Sequence, residues 1–297
     1  MEKSKELIYG LNDRPPLRET VFAALQHLLA IFVAIITPPL IISSALKFDL
    51  ATTGYLVSMS LFVSGLATLI QCRRFGPIGA GLLCIQGTSF SFISPIIGAG
   101  MLGMVNHKMN VELGLSYIFS ACLVASVVEM VVSRLLPYTR KIITPLVSGI
   151  VVTLIGMCLI KAGISSCGGG QTAIDNHTFG SMRYLGLALL VLVSIIFFNR
   201  SSNRFLRMAS IVLGLLIGCV AAYALKMIDF STLKGSGGII IPTIFKYGFR
   251  LDLGAVIGLG LIYLVTAVEA YGDITANSLI SGEPVEGPVF LKRAQGG

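Results

Sequence analysis

The stretch LGAVIGLGLIYLVTAVEAYGDITANSLIS, Leu253 to Ser281, decides the fold. Its first half is an almost unbroken apolar run, and the whole exceeds the roughly 20 residues that a helix needs to cross a bilayer. Into the second half are set Glu269, Asp273 and Asn277. At spacing i, i+4, i+8 a helix stacks these three on one face, about 6 Å apart along its axis. A helix over this stretch has its midpoint near residue 267, which puts Glu269 close to mid-membrane. Ionisable groups at that depth cost about 2.5–3.5 kcal/mol each on insertion scales, and they mark functional positions. Two carboxylates one turn apart do not both ionise cheaply in a low dielectric, so the pair suits the uptake and release of a proton. The alternative for Asp273 is a solvated cap residue where the span leaves the membrane.

The rest of the chain agrees with a membrane setting. Of 297 residues, 55% are apolar and 12% charged, with a mean hydropathy of +0.87. A soluble domain carries about 25% charged residues, so this chain lacks the charge to cover a soluble surface. Soluble enzymes, disordered chains and fibres are excluded, and no HExxH or GxSxG motif suggests an intramembrane enzyme. The net charge of +8 contains no Lys/Arg run longer than two, so a nucleic-acid partner is not expected. The six cysteines include no CxxC pair and sit mostly in apolar runs, where they act as small filler, not as disulfides or metal ligands. The polar stretch Met1 to Thr20 has no cleavable signal pattern.

Apolar runs predict an all-α polytopic membrane protein of about eight spans, at 20–46, 51–71, 76–100, 112–136, 143–164, 184–199, 208–228 and 253–281. With both ends in the cytoplasm, 14 of the 22 Lys/Arg residues fall inside, including every compact basic cluster. The positive-inside rule favours that orientation. The segment 229–252 reads as an outer loop with an extended stretch at Ile239-Ile240-Ile241. The loop 165–183, with Gly168-Gly169-Gly170, reads as a flexible turn and not a phosphate cradle.

Three further places break the apolar pattern. The third span, Gly76-Pro77-Ile78-Gly79-Ala80-Gly81 followed by Gln86-Gly87-Thr88-Ser89-Phe90-Ser91-Phe92 and Ser94-Pro95, is too rich in Gly and Pro for one helix. Residues 89–92 alternate polar and apolar, and Ser94-Pro95 is a helix-start signal. The segment therefore reads as a half-helix, a short extended crossing and a second half-helix, the transporter device for holding substrate. In the first span, Gln26-His27 lies two turns in, and Pro38-Pro39 predicts a kink or an end to the helix. His27 alone reads as a hydrogen-bonding tether in preference to a proton relay. Glu129, five residues before Arg134, reads as half of an ion pair at the inner end of its helix.

At Gln86-Gly87-Thr88-Ser89-Phe90 and at Glu269-x-x-x-Asp273-Ile274-Thr275-Ala276 the chain resembles the nucleobase–ascorbate transporter family, in particular its bacterial xanthine/uric acid permeases. Asn12-Asp13-Arg14-Pro15-Pro16, Gln26-His27-Leu28-Leu29-Ala30, Ile143-Thr144-Pro145-Leu146-Val147-Ser148-Gly149 and Leu291-Lys292-Arg293 carry the same likeness. The resemblance implies part of a fold of two inverted seven-span repeats. It assigns 1–142 to core-domain spans 1–4, 143–230 to gate-domain spans 5–7, 231–252 to a periplasmic loop, and 253–297 to span 8 and a cytoplasmic tail. Spans 9–14 are then absent, and the extended crossing at 86–92 is expected to keep unpaired amides.

The same resemblance implies proton-coupled uptake of xanthine, or of uric acid, across the bacterial inner membrane, by a homodimer when the chain is full length. It maps substrate binding to Glu269, Phe90, Ser89 and Gln86, and proton coupling to Asp273 and His27, with no metal and no cofactor beyond the proton. A planar base with N–H donors suits one carboxylate and one aromatic face. The alternative is a truncated, non-transporting permease fragment or membrane subunit.

Overall fold

A computed structural model describes residues 9–105, 110–139, 145–203, 206–207, 209–228, 242–243 and 245–297. The expected extended stretch at 239–241, His107 and the basic residues Arg140, Lys141 and Arg204 lie outside them. All regular structure among the described residues is helical. The helices are α1 Leu17–Ala45, α2 Leu50–Arg73, α3 Ile93–Val105, α4 Val111–Thr139, α5 Pro145–Cys167, α6 Gly170–Asp175, α7 Met182–Asn199, α8 Ser210–Ala224, α9 Leu253–Ile280 and α10 Gly287–Gly296, with a 3-10 turn at Phe90–Phe92.

Among the described residues, five helices are long and apolar enough to cross a membrane: α1, α2, α4 over Val111–Leu135, α7 and α9. The third and seventh expected spans are apolar but shorter, at Phe90–Val105 and Ser210–Ala224. The third is shortened because its Gly/Pro-rich first half is not helical. The glycine-bearing loop at 165–183 holds the six-residue helix α6. Nor do the prolines end α1, which runs through Pro38 and Pro39 to Ala45. Thr37 there donates its hydroxyl to the Val33 carbonyl at 2.6 Å.

The chain divides into two compact units. The first comprises Met1–Arg14, Pro38–Met157 and Pro242–Gly297, and the second Pro15–Thr37 and Cys158–Ile241. In the first, α4 packs along α9 and against α3, around Leu115, Ile118, Ala121, Ala125, Ala255 and Leu259. Small residues let these helices approach, as dispersion packing in lipid requires. A Cβ on Gly103 would sit 2.7 Å from Tyr117 Cδ2 and 3.1 Å from Gly114 Cα. The start of α9 is fixed by Asp252, whose side chain accepts from the Ala255 amide at 2.8 Å. Its end is fixed by Gly282 at φ +69°, after which the Glu283 amide bonds the Ser278 carbonyl at 2.8 Å.

In the second unit, α8 lays a buried row of Ser210, Gly214, Gly218 and Ala222 against α7. Ile195 and Val191 occupy the space that a Cβ on Gly214 or Gly218 would take.

Candidate functional site

After α2 the chain does not return to helix until residue 90. Phe75 and Ile78 exchange backbone hydrogen bonds at 2.8 and 3.1 Å around Gly76-Pro77. Gly79 follows at φ +92°, where a Cβ would meet the Ile70 carbonyl oxygen and, at 3.0 Å, Arg74 Cα. Only glycine fits that close pass in that conformation. The expected first half-helix is therefore replaced by a turn and an extended ribbon over 80–89. Along it Ala80, Leu82 and Cys84 are buried and Leu83 is 57% exposed, the period of two of extended backbone. The buried edge packs on Ile274 of α9 and on Phe290 and Ala294 of α10.

The ribbon's polar backbone finds its partners on α2. The Gly81 amide donates to the Gln71 carbonyl at 2.9 Å. The Ser64 hydroxyl donates to the Gln86 carbonyl, and the Gln86 amide donates to Thr68 Oγ1 at 2.9 Å. Both backbone groups of Gln86 are thus satisfied, contrary to the expectation of unpaired amides at this residue. Two hydroxyls one turn apart on a neighbouring helix do what a second strand would do. The ribbon ends where Ser89 Oγ accepts from the Ser91 amide at 3.3 Å and opens the 3-10 turn. The alternation at 89–92 therefore encodes a cap and a helical turn, not a strand.

Where the ribbon meets α3 lies a cavity of about 280 Å3. Thr88, Ser89 and Phe92 line it, opposed by Cys122 and Phe119 of α4, Tyr263 of α9 and Pro38 of α1. Phe92 and Tyr263 meet edge to face, with ring centroids 4.7 Å apart and planes at 64°. The walls are mostly apolar, with a few polar groups, the usual make-up of a small-molecule pocket.

Of the residues singled out from sequence, Ser89 lines this cavity directly. Gln86 is half-buried on the ribbon, its backbone held by α2. Phe90 begins the 3-10 turn and is half-buried, but it is not among the cavity-lining residues. Glu269 is half-buried on α9, and its Oε2 is fully buried with no hydrogen-bond partner. Asp273 follows one turn later and is more exposed, with its carboxylate in electrostatic reach of Cys84 on the ribbon. His27 is exposed on the part of α1 that belongs to the second unit, whereas the other five belong to the first.

Sequence reasoning passed over Phe92 and Tyr263. The available signals were the second aromatic of Phe90-Ser91-Phe92 and a lone phenol inside an apolar run. Glu129 was misplaced. It lies level with the middle of α9, beside Thr266, whose hydroxyl donates to the Tyr263 carbonyl at 3.3 Å, and in electrostatic reach of Glu269. It forms no ion pair with Arg134 among the described residues; Arg134 and Glu129 instead line a second cavity of about 800 Å3 between α4, α9 and the end of α10.

The sequence pattern of the Permease family matches residues 18–296. The xanthine permease XanP of Escherichia coli (strain K12) is 45% identical over 296 residues, covering 99% of this chain and 64% of XanP. The xanthine permease XanQ of the same organism is 43% identical over 292 residues, covering 98% of this chain and 62% of XanQ. The uric acid-xanthine permease of Emericella nidulans is 30% identical over 316 residues, covering 97% and 55%. The chain thus spans less than two thirds of the length of these relatives.

Proposed function

Because this chain belongs to the Permease family, we propose that it carries a purine nucleobase, xanthine or uric acid, inward across the bacterial inner membrane together with a proton. The observation that carries the proposal is Glu269 Oε2, buried and without a donor. A buried acceptor left unpaired costs about 1–3 kcal/mol, and more when charged, so the site favours a ligand that brings an N–H group. The paired N–H groups along one edge of xanthine supply such donors. Ser89 and Gln86 lie on the ribbon that borders the cavity, and Phe90, next to Ser89 but off the cavity wall, is the ring assigned to stacking. Asp273, one turn from Glu269, couples protonation to substrate affinity; His27 is the other residue assigned to proton coupling. The working unit, when the chain is full length, is a homodimer with its N-terminus and residue 297 on the cytoplasmic side, and the coupling ion is the proton.

The test is uptake of labelled xanthine by cells that express the chain, with and without a proton-gradient collapser. Glu269→Gln is expected to abolish uptake. Normal uptake by that variant at normal expression would refute the assignment.

A further inference from the structure

We propose that Glu129 of α4 is a positioning and proton-sharing residue: it accepts the proton that Glu269 releases and passes it to the larger cavity. This rests on the proton-coupled transport proposed above. Three observations meet at this side chain. Glu129 stands across the α4–α9 contact from the turn that carries Glu269, lining one cavity with Ala267 and with Ala270, the residue after Glu269. The Thr266 hydroxyl, on a residue only 8% exposed, donates to the Tyr263 carbonyl at 3.3 Å and lies beside the Glu129 carboxylate. Glu129 also lines the cavity of about 800 Å3, whose other polar groups include Ser126, Ser133, Arg134, Tyr271 and Gln295. Glu269 is absent from that lining. The geometry makes Glu129 a second acid, beside the exposed Asp273, between the buried carboxylate and polar space.

The surroundings leave Glu129 free to change charge. From α9 it is faced by Glu269 and by Tyr263, whose phenol also senses its charge. On α4 itself the nearest cation is Arg134, which shares the cavity but is not paired with it. From α10 the guanidinium of Arg293 bonds Glu283 through Nη2 at 2.9 Å, while its Nη1 is buried with no partner. Among the described residues no cation is paired with Glu129, which leaves it able to take a proton. The transfer balances simply: the O–H bond on Glu269 breaks, an O–H bond forms on Glu129, and a negative charge moves the other way. Two carboxyls that act on each other in a low dielectric titrate as a pair, so a proton is held more readily by one of them than both carry charge.

The experiment compares wild type with Glu129→Gln, Glu129→Asp and Glu269→Gln in xanthine uptake as a function of pH. Glu129→Gln is expected to lower the maximal rate by about tenfold or more, as loss of a proton-transfer group does. Its apparent KM should change much less. Removing a negative charge beside Glu269 makes that proton easier to lose, so half-maximal uptake should move to lower pH. Glu129→Asp, which keeps the acid, should restore most of the rate and the wild-type profile. Infrared difference spectra of the purified protein on adding xanthine provide a readout independent of turnover: Glu129→Gln should remove or shift one protonated-carboxyl band. If Glu269→Gln abolishes uptake while Glu129→Gln keeps the wild-type rate, pH profile and carboxyl band, Glu129 has no such role. If Glu129→Asp is as impaired as Glu129→Gln with an unchanged pH profile, the residue is structural and the proposal falls. If wild-type uptake ignores the proton gradient, coupled transport and the relay fall together.

Discussion

Replacing Thr68 by Val tests whether α2 holds the ribbon. The change keeps the side chain's shape and removes one hydroxyl, the acceptor for the Gln86 amide at 2.9 Å. Water does not reach a membrane interior freely, so the amide loses its partner with nothing to replace it. An orphaned donor of this kind costs about 1–3 kcal/mol. For a chain of this size, about 2 °C of melting temperature is lost per kcal/mol, so a drop of about 2–6 °C is expected. Ser64→Ala orphans the Gln86 carbonyl in the same way. Because both hydroxyls hold one residue, the double variant should lose less than the sum of the two singles. The assay is thermal aggregation of the detergent-purified protein, with Thr68→Ser as a control that keeps the hydroxyl. An unchanged melting temperature for Thr68→Val and for the double variant would refute the claim that α2 supplies the ribbon's missing ladder.

Two further outcomes follow from the packing. Phe92→Ala removes the ring that meets Tyr263 at 4.7 Å, and an aromatic pair is worth about 0.5–1.5 kcal/mol, so apparent affinity for xanthine should fall by up to about tenfold. Measured beside Phe90→Ala, it shows which ring the substrate meets; loss in Phe90→Ala alone would remove Phe92 from the site. Gly103→Val forces a Cβ to within 2.7 Å of Tyr117, and overpacking of that kind costs about 1–3 kcal/mol. The monodisperse peak in size-exclusion chromatography should shrink, and less so for Gly103→Ala.

The long spans were legible because a run of some 20 apolar residues has few other fates. Glu269 was legible for the converse reason, since a charge inside such a run is conspicuous. What escaped sequence reasoning depends on partners far along the chain. Residues 74–89 have the composition of a broken helix, but which part stays helical depends on Gly79 passing under Ile70 and on hydroxyls of α2. Ser64 and Thr68 look like ordinary small polar residues until the ribbon lies beside them. Glu129 was misread because Arg134 is near in sequence, whereas Thr266 is near in space. The Ser-Phe alternation at 89–92 carries the strand period, yet a serine that caps its own turn writes the same letters.

The small-residue row of α8 has a mechanical consequence. Gly214 and Gly218 leave just enough room for Ile195 and Val191, so neither helix can spin about its own axis without collision. The outward sides carry Leu216, Val220, Val193 and Phe197, all more than half exposed. α7 and α8 are thereby keyed into a single double-width plank that must tilt or slide as one piece.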